Sequence, residues 1–140
     1  MSQPELLVRR YYEQALSRAD WVTLDAIVAP DYIDHEVVPN LPPTRDGLKQ
    51  KYELLRSGCP DLRFVVADLM SVGDRVAVRL TVHGTHSRPF LGRPPTNRHM
   101  TTTKMSMFRV AGDQLVEHWG VFDQLTMLAQ LGALPAMTSK

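Results

Sequence analysis

The sequence predicts an α+β fold, with helices gathered first and an antiparallel meander of strands after them. Two patterns along the chain predict it. Before Pro60 apolar residues recur every three or four positions between prolines and capping residues, whereas after it long extended runs are separated by short Gly-Asp turns. The first pattern belongs to amphipathic helices and the second to hairpins. Helices and strands segregated in this way pack as separate layers.

The first helix is expected from Pro4 to Ala19, where Leu7, Val8, Tyr11, Tyr12, Ala15 and Leu16 form one stripe. Pro4 suits a first turn, whose N–H groups have no helical partner. Asp20 is placed to cap a short second helix through Trp21, Leu24, Ile27 and Val28, which Pro30 would stop. Residues 32–38 read as a short strand, followed by a loop whose Pro39, Pro42 and Pro43 exclude regular pairing. Thr44 caps a third helix that carries Leu48, Tyr52, Leu54 and Leu55 inward and ends near Gly58. Residues 62–70, 75–83, 99–110 and 115–122 read as strands, with hairpin turns at Gly73-Asp74 and Gly112-Asp113. A last helix runs from Gln124 through Leu125, Leu128 and Leu131 to Gly132.

Strand phase divides the residues further, because alternate side chains face opposite sides of a sheet. Glu117, Trp119, Val121 and Asp123 share one face, and His118, Gly120 and Phe122 the other, unless Gly120 marks a bulge. Val76, Val78, Leu80 and Val82 should pack on helices, leaving the mixed face to line a cavity or an interface.

The 140 residues are read as one domain, and 44% hydrophobic content is ample for its core. Sixteen Lys and Arg against fifteen Asp and Glu leave a net charge of +1, so no basic field attracts nucleic acid. No apolar run approaches the roughly 20 residues that span a bilayer, and Met1-Ser2-Gln3-Pro4-Glu5 does not begin a basic-then-apolar leader. A cytoplasmic protein without membrane contacts is expected. Cys59, the single cysteine, has no partner for a disulfide or a thiolate metal site and is read as inert.

Several segments taken in order resemble the SnoaL-like polyketide cyclases: Tyr32-Ile33-Asp34-His35-Glu36, Gly84-Thr85-His86, Phe90 to Thr96, Phe108-Arg109-Val110, Glu117-His118-Trp119 and Asp123 to Gly132. The resemblance covers nearly the whole chain. It implies an NTF2-like cone, with helices against a strongly curved, mostly antiparallel sheet and a deep internal pocket. It also implies a homodimer, secondary metabolism, and ring closure of a polyketide by intramolecular aldol condensation without metal or organic cofactor. The residue matching the family's acid/base is Asp123. Arg88 and Asn97 stand where relatives often carry glycine, and Ser106 where many carry an acidic residue.

For Asp123 two roles compete. Beside Val121 and Phe122, and sharing a face with Trp119, it would be poorly solvated and more basic; directly before Gln124 it would cap the last helix. Spacing alone favours the cap, and the resemblance shifts the balance to catalysis. His35 and His118 complete the expected catalytic set, His35 as a neutral imidazole able to polarise a carbonyl. His118 should point away from Asp123 unless Gly120 is bulged. Glu117 lies about 20 Å along the strand from Asp123, too far for a glycosidase-type pair. Trp119, Tyr52, Leu55, Phe90, Met105 and Met107 are expected to form the apolar wall against a small apolar or polyketide-like substrate. Arg109 is read as structural or interfacial. His83 and His86, three apart on a strand, face opposite sides, so no metal site is expected. The rival functions are epoxide opening by a cyclase or hydrolase, a ketosteroid-isomerase-like reaction, and noncatalytic binding of a small ligand.

Overall fold

The computed structural model describes residues 1–134. Helix α1 (Gln3–Arg10) continues into a π-helical turn (Tyr11–Leu16) and is followed by α2 (Trp21–Ile27), β1 (Val28–Asp34) and α3 (Arg45–Gly58). Strands β2 (Arg63–Val72), β3 (Arg75–Thr85), β4 (His99–Ala111) and β5 (Gln114–Phe122) then lead to α4 (Gln124–Gln130). The sheet order is β1-β5-β4-β3-β2. All neighbours are antiparallel except β1, which pairs parallel to β5 through Ile33–Glu117 and Asp34–His118. This is the α+β layout expected, curled and mostly antiparallel.

Side-chain caps start α2 and α3 where the sequence placed them. Asp20 accepts a hydrogen bond from Thr23 N at 3.0 Å, and Thr44 accepts one from Gly47 N at 3.3 Å. The first helix departs from the expected single α-helix. Ser17 N donates to Tyr12 O and Asp20 N to Ala15 O, bonds that span five residues. This wider turn buries Tyr11, Tyr12, Ala15 and Leu16 together, and Tyr11 and Tyr12 pack edge-on against Phe108 at 5.4 and 5.9 Å. Helix α1 and the π turn thereby close one end of the core.

The first strand lies four residues earlier than expected. Pro30, read as a helix stop, sits inside β1, which tolerates it because β1 is an edge strand and needs fewer backbone donors. Residues 35–38 leave the sheet instead, and Glu36 turns inward to two lysines. Gly120 makes no bulge; the register shift lies between Arg109 and Val110.

The inner sheet face carries Phe64, Val76, Val78, Leu80, Val82 and Phe108, all buried against the helices. The outer face carries rows set by the register, Met70–Ala77–Met107–Trp119 and Arg79–Met105–Val121. No helix among the described residues is long and apolar enough to cross a membrane.

Candidate active site

A cavity of about 210 Å³ opens between the inner sheet face, α3, α4 and the loop after β3. Strands supply Phe64, Val82 and Phe122, α3 supplies Tyr52 and Leu55, α4 supplies Met127 and Leu128, and the loop supplies Phe90. Gly58 is what admits Phe90, since a Cβ there would lie 2.5 Å from the Phe90 Cβ. Asn97 in the same loop has φ of 56°, a left-handed conformation that asparagine tolerates better than most residues.

Charge enters this apolar chamber at one end. Lys104, on the inward phase of β4 and only 3% exposed, places Nζ 2.6 Å from Glu36 Oε1. Lys51 of α3 donates to the same oxygen at 2.8 Å. Burial alone would raise the Glu36 carboxyl, but the two ammonium groups outweigh it and hold it at about 2. Burial, joined by the Lys51 charge, brings the Lys104 amine down to about 8 despite the attraction of Glu36. An amine whose proton is held only to about pH 8 thus faces an ionised carboxylate in a largely apolar cavity.

Behind this pair runs a second polar chain. His118 Nδ1 lies 2.8 Å from Asp34 Oδ1 and its Nε2 lies 2.9 Å from Ser106 Oγ, which accepts from the Tyr12 hydroxyl at 2.9 Å. Burial depresses the basicity of His118, so the neutral ring donates from Nδ1 to Asp34 and accepts at Nε2 from Ser106. Gly120 makes room for this ring, as a Cβ there would meet its Cε1 at 2.7 Å. Asp34, Glu36 and His118 offer donor atoms within 4.8 Å of one another, a spacing that would suit a cation. Their donors are already taken by Lys51, Lys104 and the imidazole proton. Two ammonium groups at that point also oppose a metal ion, so the residues present do not fit one.

Tyr52, Leu55 and Phe90 lie in the cavity wall, as the sequence suggested. Other expectations require correction. Asp123 is exposed and caps α4, accepting from Thr126 N at 3.0 Å and from Thr126 Oγ1 at 2.7 Å. Those two bonds depress its basicity, the reverse of the desolvated base anticipated. His35 is on the outer side of the sheet, 2.6 Å from Glu117 and stacked on Trp119 with ring centres 4.8 Å apart. Trp119, Met105 and Met107 share that outer face, because Lys104, Ser106 and Phe108 take the inward phase of β4. His118 does point away from Trp119, but it is 2% exposed within the core and does not line the cavity. Arg109 pairs with Glu117 at 2.8 Å on the outer face.

The sequence reading missed Lys104, Glu36 and Lys51. One signal was present: counting back in twos from Phe108 and Val110, both natural core residues, puts Lys104 inside. Glu36 and Lys51 carried no comparable mark, since each turns inward only through the fold.

A sequence description of the SnoaL-like polyketide cyclases matches residues 6–131. Among solved structures, IdmH of Streptomyces antibioticus, a proposed polyketide cyclase, is 36% identical with a TM-score of 0.85, covering 94% of this chain and 99% of that one. TsrD of Streptomyces laurentii is 26% identical with a TM-score of 0.82, covering 94% and 96%. AclR of Streptomyces galilaeus, a proposed hydroxylase, is 27% identical with a TM-score of 0.83, covering 99% and 86%. No functionally curated protein sequence matches the chain significantly. These neighbours share the NTF2-like arrangement of helices on a curled sheet. With a match across most of its length and a relative at 36% identity, the chain belongs to the SnoaL-like polyketide cyclase family.

Proposed function

We propose that the protein closes a ring in a polyketide-like substrate by an intramolecular aldol-type reaction, with Glu36 and Lys104 as its acid/base groups. The observation that carries this reading is the buried Glu36–Lys104 pair at 2.6 Å, set at the polar end of an otherwise apolar cavity. A substrate carbonyl oxygen would accept a hydrogen bond from the Lys104 ammonium, which acidifies the neighbouring C–H bond. Glu36 would take that proton, its basicity rising as the carbonyl draws Lys104 away. The enolate carbon would then attack a second carbonyl held close by the apolar wall, and the new alkoxide would recover a proton from Glu36. Positioning supplies much of the rate.

The test uses linear poly-β-ketone thioesters and product analysis for a new carbon–carbon bond. Glu36→Gln and Lys104→Met should each slow ring closure roughly 10²–10⁴-fold. Asp123→Asn keeps the helix cap but removes the carboxylate, and should turn over normally. Loss of activity only in Asp123→Asn would restore that residue as the base and overturn this assignment. An ether or diol product would instead point to epoxide opening, and a bound but unchanged ligand to a noncatalytic module.

We also propose that a second copy covers the outer sheet face. Met105 and Met107, 53% and 42% exposed, stand in register beside Trp119 and Val121 there. Apolar rows of this kind on a sheet are unusual in a surface left to water.

A further inference from the structure

We propose that Lys104 is a covalent carbonyl-capturing residue, forming an imine with aldehyde or ketone groups of the molecule in the cavity. The inference rests on the reading that this cavity takes a carbonyl compound, and it adds a bond where that reading needs only a hydrogen bond.

The geometry is that of a nucleophilic amine held in place. Lys104 is 3% exposed, its side chain lines the cavity, and Nζ is fixed by Glu36 Oε1 at 2.6 Å. The apolar wall beside it, with Phe64, Val82, Phe122 and Met127, would bring a flat carbonyl compound against the nitrogen. Facing the amine are Glu36 and Asp34 from the end of β1 and the residues after it, Lys51 from α3 and His118 from β5, with Tyr52 in the same cavity wall. Burial and Lys51 favour the neutral amine, while the two carboxylates favour the ammonium. A substantial neutral fraction therefore exists at mildly alkaline pH, and a neutral amine is the nucleophile that such chemistry requires.

The step balances without a further reactant. Glu36 takes one proton from the Lys104 ammonium and passes it to the carbonyl oxygen as the freed Nζ lone pair forms a bond to the carbonyl carbon, giving a carbinolamine. Glu36 accepts a proton from the nitrogen and returns one to the departing hydroxyl. Water leaves and a protonated imine remains. That cation makes the adjacent C–H bond more acidic, so the enamine would serve as the carbon nucleophile in place of an enolate.

The test incubates the full chain with 2-naphthaldehyde and sodium cyanoborohydride, which delivers hydride to the imine carbon and leaves a stable secondary amine. Peptide mapping should find the adduct at Lys104 rather than at Lys49, Lys51, Lys140 or the N-terminus, with a yield half-maximal near pH 8. 2-Methylnaphthalene, which fits but cannot react, should suppress it. Glu36→Gln removes a carboxylate that stabilises the ammonium, so the half-maximal pH should fall. Lys104→Met should lose the adduct while still binding the neutral dye Nile red. Dye displacement by 2-methylnaphthalene without any Lys104 adduct would overturn the imine and leave the cavity reading standing. Absence of both dye binding and adduct would overturn the two together. Labelling spread over surface lysines, or an unchanged pH profile in Glu36→Gln, would also sink the proposal.

Discussion

At Glu36 two opposing effects meet. Removing a carboxylate from water costs several kcal/mol, whereas each ammonium about 3 Å away returns roughly 5 kcal/mol at an effective dielectric constant near 20. Two attractions outweigh one desolvation, and the carboxyl is held at about 2 against an ordinary value of 4.5. A group whose folded value is depressed contributes stability that is complete above the ordinary value and disappears as the pH falls toward the folded one. Wild-type urea midpoints should therefore drop between about pH 4.5 and 2, and Glu36→Gln should show a flatter profile across that window. Tyr52, Leu55 and Phe90 were legible as wall residues because aromatic and aliphatic side chains prefer burial wherever they stand. Lys104 was not, because a lysine defaults to solvent and only partners on two other segments reverse that preference. Met105 and Met107 misled for the complementary reason, being apolar yet on the outward phase.

Within elements, local chemistry wrote the boundaries more clearly than the faces. Asp20, Thr44 and Asp123 were readable as caps because a side-chain oxygen satisfies a nearby orphan N–H without tertiary help. The π turn left no such mark, since its Tyr and Leu spacing also fits an α-helix. β1 was displaced because edge position, which excuses Pro30, is a property of the sheet and not of the segment. In β5 the glycine read as a candidate bulge has another purpose. His118 is fastened at both ring nitrogens and cannot swing aside, so a methyl group at position 120 would press on a fixed ring. Gly120→Ala should destabilise the fold by about 1–3 kcal/mol in denaturant titration, the range for an overpacked core. An unchanged midpoint would show that the ring can move despite its two bonds.

Across the whole molecule the sheet separates two environments, a chamber on the inside and an apolar platform on the outside. Strand phase identified the two faces correctly but exchanged their uses: the face of Trp119 looks outward and the face of His118 and Phe122 inward. If a second copy sits on the platform, replacing Met105 and Met107 together by lysine should shift sedimentation from dimer to monomer while the cavity still takes Nile red. Sedimentation of the unaltered chain as a monomer would rule that assembly out. Helix α4 joins the two halves of this picture. Seven residues make a helix too short to persist alone, and it is tied down by the Asp123 cap and by paired bonds between Gln130 and the backbone of Thr101 at 2.7 and 2.8 Å. Because Met127 and Leu128 on this helix are part of the chamber wall, those few polar ties hold one side of the chamber in place. A surface aspartate thus helps fix the shape of a cavity that it does not line.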